Sequence, residues 1–349
     1  MRVIQVMAGA VNGGAEAAFE DISLALSEAG ITQKIIIRGN NQTRVQKFKD
    51  KNIDIEILPF GGMFDFYTPW KIKKIIADFK PQIVQTWMSR ATSKTPSSCK
   101  PKTYLKVARL GGYYGLKYFR GTDYYIANTG DIRDYLIREG IDKSRALTIH
   151  NFAPDEIVIT PVTKKDLNTP DDAIVLLSLA RYHPAKALDV LIKSVVDLDN
   201  VNVWLAGEGK QEQELKDLAK NLGVENRIYF LGWRGDRAAL LQAADICVFP
   251  SRFEPFGNVV VQAWAQKIPL ICSKSQGPMQ YVRDGEDALM FDIDDVGQLK
   301  EKIRQMINDK NLSHRLVDAG YNRYKNEFSK DKIVADYIAF YQKIIEENL

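Results

Sequence analysis

The chain has little with which to hold a metal or cross-link itself. Its 349 residues include only three cysteines, Cys99, Cys247 and Cys272, and three histidines, His150, His183 and His314. No two of these six share metal-ligand spacing, which argues against a structural zinc. Cys247 and Cys272 lie inside apolar runs, ADICVFPS and PLICSKS. They read as reduced, buried thiols of a cytosolic protein. No stretch reaches the roughly 20 apolar residues of a spanning helix. The opening MRVIQVMAGAVNGG reads as a first β-strand, not a signal or transit peptide. A soluble, at most peripheral, cytoplasmic protein is the expectation. The glycine fingerprint G-x-G-x-x-G is missing as well, which removes the dehydrogenase class.

What is present is an uneven charge. Residues 1–150 carry 23 Lys and Arg against 14 Asp and Glu, and the rest of the chain carries 25 against 30. Residues 71–120 hold 12 basic residues and one acid, Asp78. Such a face attracts anionic headgroups or an anionic acceptor. Lys71, Lys73, Lys74 and Arg109 are the expected contacts to acceptor or membrane. No recognition motif accompanies the charge, so nucleic acid is not expected.

Both halves alternate short β-branched runs with amphipathic helices, the pattern of a parallel sheet covered on both faces. The first half offers seven strand-like runs from RVIQVMAG to ALTIHNF, and the second six from AIVLLSLA to ALMF. The expected fold class is α/β, with two Rossmann-like, doubly wound domains facing each other across a cleft. Residues 1–155 would form the N-terminal acceptor domain and 170–329 the C-terminal donor domain. Residues 156–169, interrupted by Pro161, read as a linker. Residues 330–349 form an amphipathic helix that can return to the first domain.

Three segments carry chemistry. In the first, Ser251-Arg252-Phe253-Glu254-Pro255-Phe256-Gly257-Asn258, a carboxylate stands at a strand end and a glycine opens a helix. Unpaired N–H groups at a helix start form an anion site, and Glu254 beside it can accept sugar hydroxyls. An ordinary turn with a surface glutamate fits the spacing equally well. The second segment, Ala180-Arg181-Tyr182-His183-Pro184-Ala185-Lys186, follows a strand and offers two cations to a diphosphate. Solvated charges in such a loop are the commoner outcome. The third, Asn12-Gly13-Gly14-Ala15-Glu16, permits close ligand approach, as does Gly207-Glu208-Gly209; tight turns without a ligand fit both.

Taken in order, these segments resemble the donor-binding domain of the family-four glycosyltransferases, from LSLARYHPAKALDVLIKSV through NVWLAGEGKQEQELKDLAKNLGVENRIYFLGW to AADICVFPSRFEPFGNVVVQAWAQKIPLICS. GGAE and IHNF agree with that family's N-terminal domain, so the resemblance covers nearly the whole chain. It implies a GT-B fold and a retaining, metal-independent hexosyltransferase without a resident cofactor, using a UDP- or GDP-sugar as co-substrate. It implies that Arg181 and Lys186 bind the donor diphosphate and that Glu254 holds the transferred sugar. Phe256, Gly257 and Asn258 would meet phosphate and sugar, Gly207 and the Leu231-Gly232-Trp233 turn would lie near the donor, and Gly13 and Gly14 would line the cleft. The segments VARLGGYYGLKYF and IHNF resemble members linked to lipopolysaccharide core and envelope glycans, acting at the inner face of the cytoplasmic membrane.

Two positions depart from the family. Gln262 stands where a second glutamate commonly binds the ribose, which implies weaker ribose recognition by roughly 1 kcal/mol per bond. Gln85, and Leu110 or Gly111, stand where histidines are common, so those sugar contacts do not transfer. These departures keep a catalytically weak sugar-nucleotide-binding module in view, with a nucleotide-sugar epimerase as the rival enzyme.

Overall fold

The computed structural model describes residues 1–349 except Asn12 and Asp155. The Asn12 that begins the glycine-pair segment therefore lies outside the described residues. The chain forms two compact units, one of residues 1–152 and 330–349, the other of residues 153–329.

The first unit holds a seven-stranded parallel sheet. Its strands are β1 (Arg2–Met7), β2 (Thr32–Ile37), β3 (Asp54–Ile57), β4 (Ile83–Trp87), β5 (Leu105–Leu110), β6 (Tyr124–Ala127) and β7 (Ala146–Thr148), in the order β3-β2-β1-β4-β5-β6-β7. The second unit holds six: β8 (Ile174–Leu179), β9 (Val201–Ala206), β10 (Ile228–Gly232), β11 (Ile246–Phe249), β12 (Leu270–Ser273) and β13 (Leu289–Phe291), in the order β10-β9-β8-β11-β12-β13.

Both faces of each sheet are buried, and the period of two along a strand divides its side chains between them. In the second unit Leu176, Val203, Leu205, Val248 and Ile271 enter one core, while Val175, Leu177, Trp204, Cys247 and Cys272 enter the other. Cys247 and Cys272 are buried free thiols, and burial pushes the Cys247 thiol up to about 12. In each sheet the strand order reverses once, between β1 and β4 and between β8 and β11. Loops leaving the carboxyl ends of such a pair diverge and open a crevice where ligands collect.

Two differences from the sequence reading have physical causes. The first unit ends at Phe152, and the stretch expected as a linker belongs to the second. Its Thr169 hydroxyl accepts the Trp204 Nε1–H at 2.9 Å, and Lys164 Nζ donates to the Asp245 carboxylate at 3.0 Å and the Ala173 carbonyl at 2.7 Å. The helix Lys310–Arg323 has only a weak sequence signal, because its buried face holds Leu312, Ser313, Leu316 and Gly320, two of them not hydrophobic side chains. A Cβ on Gly320 would stand 2.4 Å from the Trp264 ring, so the glycine is the price of close packing. The last helix, Lys330–Asn348, sinks Ile333, Tyr337, Tyr341 and Ile344 into the core of the first unit beside Val3, Phe19 and Trp87. No helix among the described residues is long and apolar enough to cross a membrane.

Candidate active site

The β8/β11 reversal brings the two strongest sequence segments side by side. After β8 the chain is pinned from below by the turn after β9. Ala180 N–H donates to the Ala206 carbonyl at 3.1 Å, Tyr182 N–H to the Glu208 carbonyl at 2.9 Å, and the buried Tyr182 hydroxyl to the Leu205 carbonyl at 2.8 Å. This approach needs glycine. A Cβ on Gly207 would fall 1.9 Å from the Ala180 carbonyl oxygen, and one on Gly209 2.2 Å from that of Tyr182. With its backbone fixed, Arg181 projects into solvent and meets no hydrogen-bond or ion-pair partner among the described residues. The His183 ring nitrogen then caps the short 3-10 turn Pro184–Lys186, and Ala187 follows at a φ of 52°, a left-handed conformation that an alanine adopts only under constraint.

Lys186 Nζ forms an ion pair with Glu254 Oε2, both side chains mostly buried. Arg252 clamps the two loops together. Its backbone N–H donates to the Ala185 carbonyl at 2.8 Å, and its guanidinium reaches the Pro184 carbonyl at 2.7 Å, Asp189 at 2.9 Å and Asp294 at 2.6 Å. The hydrogen bond to Asp189 raises the Arg252 pKa further. Burial opposes ionisation of Asp189, yet the Arg252 hydrogen bond and charge hold that carboxyl below its usual range. Sequence reasoning gave Arg252 no role, since its partners come from distant segments.

Beyond Glu254 the chain turns at Gly257, φ 95°, to open the helix Asn258–Ala265. The buried Tyr281 hydroxyl donates to the carbonyls of Phe256, at 2.6 Å, and Gly257, at 3.2 Å. Gly277 N–H donates to the Glu254 carbonyl at 2.7 Å, and a Cβ on Gly277 would overlap the Phe256 backbone at 2.5 Å. The anion-binding end of that helix is thereby set beside the Lys186–Glu254 pair. The sequence gives no signal for Tyr281 or Gly277 in this role.

The other expected donor residues are distributed around this edge. The Gly232 carbonyl accepts the Gly207 N–H at 2.8 Å, Leu231 packs into the core beneath, and Trp233 stands exposed with its N–H on Glu208 Oε1 at 3.3 Å. Gln262 lies one turn into the helix and lines a small hollow with Glu156 and Arg237, which are themselves ion-paired.

In the first unit, Gly13 precedes and Gly14 opens the helix Gly14–Glu28, and the space that an extra Cβ on Gly13 would need is filled by the chain itself. The Glu16 carboxylate lies 2.3 Å from that position and accepts the Ala10 N–H at 2.7 Å. Arg109 corrects the expectation made for it. It is buried, donates to the Tyr337 hydroxyl at 2.6 Å and to Asn151, and stacks over Trp87 at 4.8 Å, so it meets neither acceptor nor membrane. Gln85 is also buried, accepting the Tyr341 hydroxyl proton at 2.6 Å. The basic stretch thins out in the fold. Lys71 pairs with Glu56, Lys102 with Asp123, and Lys94 donates to backbone carbonyls. Lys106 is sunk in the core, where burial lowers its pKa to about 8. Lys73 and Lys74 remain exposed.

Comparison with known proteins agrees with this arrangement. The family described as glycosyl transferases group 1 matches residues 160–323. The lipopolysaccharide core biosynthesis glycosyltransferase LpsE of Rhizobium meliloti (strain 1021) is 34% identical over 338 residues, covering 94% of this chain and 95% of the relative. The chain belongs to the group 1 glycosyl transferases. Among solved structures, a glycosyltransferase from Rickettsia africae ESF-5 superposes with a TM-score of 0.85 at 18% identity, covering 100% of this chain and 99% of that one. Anabaena Alr3699/HepE, solved with UDP, gives 0.84 at 18% identity, covering 98% and 100%. That likeness is one of fold, and the fold is GT-B. The family match spans the β8/β11 loops, so Arg181, Lys186 and Glu254 lie within the matched residues.

Proposed function

We propose that the chain transfers a hexose from a UDP- or GDP-sugar, with retention at the anomeric carbon, to a glycan or glycolipid acceptor of lipopolysaccharide core or envelope polysaccharide. The reaction takes place at the inner face of the cytoplasmic membrane. The observation that carries this reading is the Lys186–Glu254 pair, which joins the loop after β8 that carries Arg181 to the loop that leads into the helix opened by Gly257. Both charges are mostly buried, and each already has its complement. On donor arrival they exchange partners, Lys186 taking a phosphate oxygen and Glu254 the hexose hydroxyls, so neither is left buried and unpaired. The solved relative with UDP and the core-biosynthesis name of the 34% identical relative support the donor and acceptor classes.

In the reaction the acceptor oxygen bonds to the anomeric carbon on the face from which the diphosphate leaves. The bond from that carbon to the phosphate oxygen breaks, and the departing phosphate takes the acceptor proton. Arg181, Lys186 and the helix end stabilise the charge that develops on it. Three positive elements answer the diphosphate charge without a divalent cation, so transfer is expected to continue in excess EDTA.

Incubation with UDP-, GDP- and ADP-sugars in turn tests the reading. Slow hydrolysis of one donor, and its transfer to a core oligosaccharide, is the expected result. Binding without turnover would instead favour a sugar-nucleotide-binding module. Arg181→Ala is expected to reduce transfer by roughly a hundredfold, as loss of a preorganised charge donor does, without lowering the melting temperature. A proportionate loss of both would take Arg181 out of the site. Gln262→Glu is expected to tighten donor binding about fivefold by restoring about 1 kcal/mol of charge-assisted bonding to ribose. Unchanged calorimetric affinity would place Gln262 away from the nucleotide.

A further inference from the structure

Five large apolar side chains stand in water within residues 63–70 of the first unit. Met63, Phe64 and Phe66 are 83%, 80% and 76% exposed, and Tyr67 and Trp70 are more than half exposed. Single exposed hydrophobics are ordinary, but a contiguous group marks a contact surface.

This group sits on a built turn. Both oxygens of Asp65 are used, one accepting the Gly61 N–H at 2.7 Å and the other the Thr68 N–H at 2.9 Å. Thr68 Oγ1 accepts the Phe60 N–H at 3.3 Å, and Lys94 Nζ ties down the Gly62 and Asp65 carbonyls at 2.9 and 2.8 Å. The turn leads into the helix Tyr67–Phe79, whose inner face buries Thr68, Ile72, Ile75 and Ile76. Its outer face carries Trp70, Lys73 and Lys74, and neither lysine has a partner among the described residues. The one acid of the turn is consumed by its hydrogen bonds, the neighbouring Glu56 is paired with Lys71, and Asp78 stands one helical turn beyond Lys74, on the side away from the turn.

We propose that this turn is a wedge that docks the protein on an anionic bilayer. Met63, Phe64 and Phe66 enter the boundary between headgroups and acyl chains, to a depth of about 5–10 Å. Tyr67 and Trp70 lie at headgroup level, where an amphipathic ring is favoured, and Lys73 and Lys74 meet the lipid phosphates. A bilayer fits better than a protein groove because apolar tips flanked by unpaired cations match a surface that is apolar below and anionic above. The glycolipid acceptor proposed above gives this docking its purpose, and only that purpose rests on the functional reading.

Flotation of the full chain with vesicles tests it, using phosphatidylcholine alone and phosphatidylcholine with added phosphatidylglycerol. The wild type is expected to float with the anionic vesicles. Phe64→Ser with Phe66→Ser should remove flotation. Lys73→Gln with Lys74→Gln should weaken it roughly thirtyfold, at about 1 kcal/mol per lysine. Both variants should keep the wild-type melting temperature and donor hydrolysis, because none of these side chains is buried or placed in the nucleotide site. A wild type that hydrolyses a donor yet ignores anionic vesicles overturns the docking and leaves the transferase reading intact; flotation without turnover on any donor does the reverse. Flotation unchanged in both variants overturns the wedge. So does a dimer, seen by light scattering, that the phenylalanine changes dissolve while flotation persists, since the patch would then join two copies.

Discussion

Exchanging Glu254 for glutamine is expected to lower kcat/KM for sugar transfer by roughly thirtyfold. The carboxylate is proposed to accept hexose hydroxyls, and the charge-assisted part of two such bonds is worth about 2 kcal/mol. Folding is expected to lose only about 1–3 kcal/mol, because the pair is mostly buried but the glutamine amide oxygen can still accept from Lys186. Steady-state kinetics beside a melting curve separate the two effects. A variant that melts far below the wild type and loses activity in proportion would make Glu254 a structural residue.

The largest stability effect is expected from Gly207→Ala. The added methyl would lie 1.9 Å from the Ala180 carbonyl oxygen, and backbone on both sides leaves nothing flexible to yield. The turn after β9 and the loop carrying Arg181 must separate, breaking the Tyr182–Glu208 and Gly207–Gly232 bonds. A cost of about 3 kcal/mol or more is expected, a drop of roughly 6–12 °C for a unit of this size. Gly223→Ala is the control. It also has positive φ, at 68°, but a Cβ there meets nothing within 4 Å, so only about 1–2 kcal/mol of backbone strain applies. Equal melting temperatures for the two variants would refute the steric account.

Most strands are legible because they are short runs of β-branched and aliphatic residues buried on both faces, and such runs have few alternatives. Glu254, Lys186 and Arg181 stood out because charge at a strand end, followed by a helix start, is a local pattern. What local pattern does not carry is closure between distant segments. Arg252 looks like one more surface charge until Asp189 and Asp294 are folded against it. Gly13 looks like room for a ligand until Glu16 turns back to occupy it. The basic stretch 71–120 reads as one face, yet Lys106 and Arg109 lie on β5, where alternation and burial send them inward. The exposed turn at 63–70 is hidden for the opposite reason, as its aromatic residues resemble core.

The return of residues 330–348 to the first unit also bears on biosynthesis. Leaving the ribosome, the sheet of the first unit has its strands but not the tyrosine-bearing cover for one face, so Trp87 and Val3 wait in water until residues 330–348 have emerged. The second unit, continuous in sequence from 153 to 329, can close earlier. A nonsense change just before residue 330, sparing every residue proposed to bind the nucleotide, would therefore unravel the unit that was synthesised first.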